Sequence, residues 1–309
     1  MKKIYTLLLL GLTIVCNSQN TKKSKNDTIQ KLDEIVISTN AIFGSKYVAK
    51  NRTGSAYFLT PKEIKKLGYV DINRVLRTIP GVNIYEEDGF GLRPNISLRG
   101  TSPERSAKIT LMEDGVLIAP APYSAPAAYY FPTIARMESV EVLKGSSQVQ
   151  FGPYTTGGAI NMISTSIPKT FQGSIRASYG SFNSGQFHAK IGDSKENFGY
   201  MIEFLNFNSD GFKNLPDGSN TGFDKNDVVA KFRVNLFPKA KAKQSLLAKF
   251  QYGDEVSNET YLGLSPTDFE TNPFGRYASS SLDQMTNDHL QFTLTHTADF
   301  SENIRLTTT

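Results

Sequence analysis

The chain has 309 residues, 39% of them hydrophobic and 20% charged, with a net charge of +5. A mean hydropathy of −0.31 excludes a bundle of apolar spanning helices, though not a membrane β-barrel, in which only alternate strand residues face lipid. The basic balance contains no long Lys/Arg run of the kind that tracks nucleic acid, while 20 Phe and 14 Tyr without any Trp exceed what a small core needs and suit interfacial girdles.

Met1-Lys2-Lys3 is a positive start, and Leu7 to Val15 is an apolar run. Spanning a bilayer takes about 20 apolar residues, so this run is too short for an anchor and reads as an export signal. Cleavage is expected near Ser18 or Gln19, giving a signal peptide over residues 1–18. Acylation of Cys16 is the alternative, but Val15 stands where a small residue would precede it. With cleavage after Ser18 the mature chain has no cysteine and depends on neither a disulfide nor a reducing compartment. Residues 19–31, with Lys22, Lys23 and Lys25, form a polar solvated leader. Leu32 to Thr39 then gives an acidic start followed by β-branched Ile35, Val36 and Ile37, a composition that favours extended backbone.

Residues 45–168 read as a mixed α+β domain. Thr60-Pro61-Lys62-Glu63 is a helix start, with Thr60 as N-cap, Pro61 in the first turn and Glu63 closing a capping box; Gly68 is expected to end that helix. Asp71 caps a second helix, whose Ile72, Val75, Leu76 and Ile79 share one face, and Pro80-Gly81 stops it. Short apolar runs at Ile109 to Met112, Gly115 to Ile118 and Ser139 to Leu143, separated by turn residues, predict strands of a small sheet.

From about residue 171 the pattern becomes a two-residue alternation. Ile175/Ala177/Tyr179, Phe187/Ala189/Ile191, Ala230/Phe232/Val234/Leu236, Ala248/Phe250/Tyr252 and Leu290/Phe292/Leu294 each alternate with polar residues. A soluble β-sandwich has the same signature. Lipid is favoured by runs longer than the usual strand and by connections that are tight at Gly180 to Ser184 and Gly192 to Asn197 but long at Ser209 to Asp227 and Asp254 to Asn287. About seven strands are expected, the last from Ile304, giving a partial antiparallel barrel over residues 169–309. An unclosed sheet leaves edge N–H and C=O groups unpaired, so these strands are expected to belong to a longer protein.

Arg93 to Arg105 (RPNISLRGTSPER), Leu111 to Val116 (LMEDGV), Arg136 to Gly145 (RMESVEVLKG), and Phe151-Gly152-Pro153 through Gly157 to Asn161 resemble the plug domain of TonB-dependent outer-membrane receptors, in the family's order. Asp71 to Gly81 resembles the family's plug opening. Asp33, Glu34, Ile35, Val36, Ile37, Ser38 and Thr39 resemble the TonB box, within a periplasmic leader over residues 19–44. Ala119 to Pro126 and Glu259 to Leu264 are most similar to ferric citrate receptors. The resemblance implies a transporter of the bacterial outer membrane, with no enzymatic activity and no cofactor. Its partners would be TonB and the inner-membrane energising complex, an iron chelate and outer-membrane lipid, with no nucleic acid. Another siderophore, vitamin B12 or an oligosaccharide are alternative ligands, and a secreted adhesion module is the alternative outside transport.

In family terms Asp33 to Thr39 would add a strand to TonB through backbone hydrogen bonds. Candidate ligand contacts are Arg93, Arg99, Arg105, Tyr123, Tyr129 and Tyr130, donors and aromatic walls suited to an anionic chelate. The bland alternatives are a structural plug cation for Arg99, solvated loop arginines for Arg93 and Arg105, and packing against the barrel wall for Tyr129 and Tyr130. The sequence departs from the family at Lys144, where a second arginine is usual, at Ala125, which replaces an apical glutamine, and in a leader too short for a signalling domain. His188, His289 and His296 read as strand residues, and Gly89-Phe90-Gly91 lacks the context of a dinucleotide loop.

Overall fold

The computed structural model describes residues 41–67, 71–118, 125, 127, 129–152, 155–237, 240–301 and 303–309, all within one unit, Asp33–Thr309. The expected signal peptide, the Asp33 to Thr39 segment, Gly68 and Tyr123 lie outside these residues. The first helix, α1 (Lys46–Asn51), starts where the Ser45 hydroxyl accepts the Val48 N–H. Strand β1 (Ser55–Leu59) leads into α2 (Pro61–Leu67). The capping box forms there: Thr60 Oγ1 accepts Glu63 N–H at 3.2 Å, and Glu63 Oε2 accepts Thr60 N–H at 2.9 Å. The carboxylate of Asp71 caps α3 (Ile72–Leu76) by accepting the Asn73 N–H at 2.7 Å. Such caps contribute about 1 kcal/mol each. Ile72, Val75, Leu76 and Ile79 are fully buried, as their spacing predicts.

Strands β2 (Val82–Tyr85) and β3 (Asn95–Leu98) pair as a two-stranded ribbon that the sequence does not announce, since each is four residues long. The expected small sheet consists of β1, β4 (Ile109–Glu113), β5 (Val116–Leu117), β6 (Met137–Lys144) and β7 (Gly158–Ser164), in the order β1-β6-β7-β4-β5. Only the β4–β7 pair is parallel. Ile109, Leu111, Val140, Val142 and Ile160 bury one face of this sheet against α3, Ile96 and Leu98. Each such aliphatic side chain contributes about 1.5–3 kcal/mol by leaving water.

The second sheet contains seven strands, each paired antiparallel with its chain neighbours: β8 (Gln172–Gly180), β9 (Ser184–Ser194), β10 (Phe198–Ser209), β11 (Phe223–Leu236), β12 (Lys243–Ser257), β13 (Met285–Ser301) and β14 (Ile304–Thr308). Among the described residues β8 and β14 are its open edges. The connection pattern corrects one expectation. The tight turn between β8 and β9 lies at the same end as the long loops, because Asp210 N–H donates to Phe182 O at 2.9 Å. The short–long asymmetry therefore begins only at β10. The longest loop carries a helix, α4 (Pro266–Thr271), capped by Ser265, which the sequence reading leaves as loop.

The polarity of this sheet is the reverse of a soluble one. Across β10 to β13, register rows such as Ile202–Ala230–Phe250–Phe292 and Phe204–Val228–Tyr252–Leu290 point outward, and Phe292 and Leu290 are 65% and 69% exposed. The intervening rows, Met201–Lys231–Lys249–Thr293 and Phe207–Lys225–Glu255–Asn287, turn inward, and their Lys231, Lys249, Lys225 and Glu255 are buried against the N-terminal domain. A sandwich would bury the apolar rows. Here the polar rows are covered and the apolar rows form an exposed band, as a lipid-facing wall requires. Replacing Phe250, in the middle of that band, with arginine is expected to cost about 2–4 kcal/mol in a bilayer. Denaturant titration of the intact protein in lipid vesicles checks this; a change within about 0.5 kcal/mol is what a water-facing row gives.

Candidate functional site

Two clusters join the N-terminal domain to the inner face of the strands. The deeper one centres on Arg136, whose side chain is fully buried at the start of β6. Its guanidinium donates to Glu113 Oε1 at 2.6 Å and to Oε2 at 2.9 Å in a forked pair, and Nε approaches Asp227 Oδ2 on β11 at 3.4 Å. From β12, Lys249 donates to Glu113 Oε1 at 2.5 Å and to Asp114 Oδ2 at 2.8 Å, and Lys231 Nζ lies 3.5 Å from Asp114 Oδ2. Thus Arg136, Lys231 and Lys249 balance Glu113, Asp114 and Asp227. The Tyr130 hydroxyl accepts from Arg136 at 3.0 Å, and its ring stacks on His289 of β13 at 3.7 Å. Gly253 keeps space open beside this row: a Cβ there would meet Asp227 Oδ1 at 2.7 Å.

Burial alone would raise the Glu113 pKa, but Arg136 and Lys249 outweigh it and hold it at about 2. Burial likewise opposes ionisation of Asp114, and Lys231 and Lys249 hold it well below the usual carboxylate range. Both carboxylates stay charged because each is paired and hydrogen-bonded in an interior where an unpaired charge would be untenable.

The upper cluster floors a 430 Å³ cavity between the domain and the long loops. Asp88 organises the apical turn by accepting the N–H groups of Phe90, Gly91 and Arg93 at 2.5, 2.6 and 2.9 Å. Gly89 and Gly91 have φ of 80° and 78°, in the left-handed region that glycine adopts without strain. This turn presents Phe90 to Phe223 at 4.9 Å and to Phe212 at 5.5 Å, so one wall of the cavity is aromatic. Arg93 is buried and donates to Glu255 at 2.6 Å and Glu259 at 3.1 Å. Burial pushes the Glu259 carboxyl up to about 7, with Arg93 opposing and Asp88 and Glu255 reinforcing. Arg276 is occupied by the carbonyls of Asn258 at 2.6 Å and Ser280 at 2.7 Å.

Of the candidates taken from sequence, none among the described residues lines this cavity, but Arg93 and Arg105 contact residues that do, Glu259 and Tyr261. Arg93 is not a solvated loop arginine, since two glutamates hold it. Arg105, with φ of 51°, lies over the Tyr261 ring at 6.0 Å. Tyr129 is half exposed, whereas Tyr130 belongs to the deeper cluster and packs against the strand wall. Arg99 lines a separate cleft with Thr101, Gln148 and Thr155, and burial, reinforced by the Arg99 guanidinium, depresses the Lys144 ammonium. His188 rests on Glu203 at 2.7 Å, and His296 on Gln244 at 3.0 Å. Asp88, Glu113, Asp114, Lys231, Lys249, Glu255 and the Phe90–Phe212–Phe223 group escape the sequence reading. The polar members of the strand alternations are the signal that would have found the lysines and Glu255.

Residues 49–159 match the family model of the TonB-dependent receptor plug domain. In sequence the chain is 25% identical over 312 residues to the vitamin B12 transporter BtuB of Photobacterium profundum, covering 98% of this chain and 48% of that protein. A BtuB of Vibrio vulnificus is 25% identical over 216 residues, 67% of this chain and 33% of the relative. The chain thus spans about half or less of the curated relatives' length. In fold it is similar to the unliganded ferric citrate transporter FecA, with a TM-score of 0.68, 20% identity, and coverage of 85% of this chain and 40% of that one. The ferric yersiniabactin uptake receptor FyuA of Yersinia pestis follows at a TM-score of 0.62 and 21% identity, covering 82% and 39%.

Replacing Glu113 with glutamine leaves Arg136 and Lys249 without their shared anion and is expected to cost about 3–5 kcal/mol. With its pKa lowered from 4.5 to about 2, Glu113 stabilises fully above 4.5, and that stabilisation is lost as pH falls through 2. Unfolding midpoints of wild type and Glu113→Gln, measured against pH on the intact protein, should therefore converge across that window.

Proposed function

We propose that this chain, which carries a TonB-dependent receptor plug domain followed by seven strands of a receptor barrel, serves in energy-coupled import of an iron chelate across a bacterial outer membrane. The observation that carries this reading is the inverted sheet: an apolar band outside and charged rows inside, filled by a domain whose own charges complement them. A wall of that polarity, occupied by a separate plug, is suited to a gated passage and has no purpose in a free-standing adhesin. On this reading residues 1–18 direct export, 19–44 form the periplasmic leader, 45–168 the plug and 169–309 the first part of the barrel.

Asp33 to Thr39 would pair as an added strand with TonB, which draws on the inner-membrane energising complex. Ferric citrate is the favoured ligand, supported by the sequence of Ala119 to Pro126, by the Glu259 to Leu264 loop at the cavity and by the likeness in fold to FecA. Tyr261 lines the cavity and would meet a chelate there, Arg105 would support it from across its ring, and Arg93 would join by giving up one of its two glutamates. The roles of Arg99, Tyr123, Tyr129 and Tyr130 in contacting ligand belong to the same proposal. A corrinoid is the second reading, favoured by the aromatic wall of Phe90, Phe212 and Phe223 and by the relatives named as vitamin B12 transporters.

Uptake of radiolabelled iron as ferric citrate, in iron-starved cells lacking redundant receptors, tests both levels. Expected is uptake that needs the gene, stops with an uncoupler, and falls to the level of gene-less cells when residues 33–39 are excised. Gene-independent citrate uptake with gene-dependent cobalamin uptake moves the assignment to the corrinoid. Uptake indifferent to excision of 33–39 overturns energy coupling through that segment.

A further inference from the structure

The carboxylate of Glu141, on β6, is completely buried, and among the described residues no salt bridge reaches it. Instead it takes four hydrogen bonds. Oε1 accepts the backbone N–H groups of Phe43 at 2.7 Å and Gly44 at 2.9 Å. Oε2 accepts the N–H of Ile42 at 2.7 Å and Asn161 Nδ2 at 2.9 Å. Three consecutive amides of the entering chain are thus gathered on one side chain nearly a hundred residues away. Phe43 seats beside them in a small apolar cluster with Phe58, Leu143 and Ala159. Asn161 continues the connection: its Oδ1 accepts the Gly115 N–H at 2.9 Å, and the neighbouring Asp114 is bound by Lys249 and Lys231 of the barrel wall.

From this geometry we infer that Glu141 is the latch of the plug. It holds residues 42–44 to a sheet that the barrel wall itself anchors, and release of that grip is the first event when the leader is pulled. The inference rests on the import reading for the identity of the pull, since Ile42 follows closely on the Asp33 to Thr39 segment. Physical asymmetry sets the order of release. Residues 42–44 are held by hydrogen bonds to one carboxylate and by the Phe43 contact, and next in line stands β1, which among the described residues is an edge strand paired only to β6. The body of the plug, by contrast, is held by the buried Arg136, Glu113, Asp114 and Lys249 network. Bonds to one carboxylate are charge-assisted and mutually reinforcing, so the latch is strong when complete and fails as a unit when one oxygen is lost.

The test uses the intact receptor in its outer membrane, without TonB and without ligand. Glu141→Gln turns one oxygen into a donor that faces two donors whichever way the amide sits. Labelling of a cysteine reporter at Ala41 is expected to accelerate roughly tenfold, as loss of a hydrogen bond to a charged group implies. In single-molecule pulling from the leader, the first rupture is expected at lower force, with later ruptures unchanged. Where Glu141→Gln is not recovered in the membrane, Ile42→Pro is read in its place, because it deletes one donor and leaves the buried carboxylate intact. Wild-type labelling and an unshifted first rupture overturn the latch. A shift in every rupture together also overturns it, since Glu141 is then a general stabiliser of the plug. Because neither readout involves transport, a latch that opens as expected in a protein whose uptake ignores residues 33–39 overturns energy coupling through that segment and leaves the latch standing.

Discussion

The forked pair of Arg136 with Glu113, completed by Lys249, is the contact on which the rest of this structure depends. Each of these charges would be costly in an interior. Together with Asp114, Lys231 and Asp227 they form a balanced set of three cations and three anions, so removing any one member leaves a net charge buried. The set also explains why an inverted sheet is stable. Inward rows of lysine and aspartate need a body that supplies the opposite charges at matching heights, and β4 and β6 supply them.

The interface differs in kind from the core of the plug. Inside the plug, α3 and the mixed sheet bury aliphatic side chains that only unfolding can return to water. Between plug and wall, beside one apolar patch of Phe90 and Leu92 on Leu205, Phe207 and Phe223, the contacts are mostly ion pairs and hydrogen bonds, including Thr133 to Asp227 at 2.7 Å and Lys225 to the Phe131 carbonyl at 2.8 Å. Groups of that kind can exchange a protein partner for water one at a time, at a small net cost per bond. An interface of that kind is held less tightly than a continuous apolar one. The apical turn repeats the theme on a smaller scale, with Arg93 bridging plug and wall through Glu255 and Glu259 above the aromatic floor.

Much of the fold is legible in the sequence because its signals are local. Thr60 and Glu63 form the capping box that their spacing specifies, Asp71 caps α3, and the buried face of α3 is the one its periodicity marks. The alternation after residue 171 yields seven strands, the last starting at Ile304. The ribbon of β2 and β3 is not legible, because four residues are too few to carry a period. The end occupied by the turn at Ser181 to Asn183 follows from counting strands, since successive connections of an antiparallel meander alternate ends, and not from turn length. At the candidate site Arg93 and Arg105 are found by type, but their company is not. Glu255 and Glu259 lie far along the chain, and Tyr130 proves to be part of the charged interior.

The sequence by itself determined α2, α3 and the seven strands of the second sheet, through caps, turn residues and two-residue alternation that each act within a few positions. Only the tertiary structure decided which face of every strand looks inward, since alternation is unchanged when the two faces are exchanged. It also decided what each buried charge meets. Glu113 finds Lys249, and Glu141 finds the amides of residues 42–44, across 136 and about a hundred residues of chain. The stability of a buried charge depends on the partner that the fold brings to it, and local sequence carries no record of that partner.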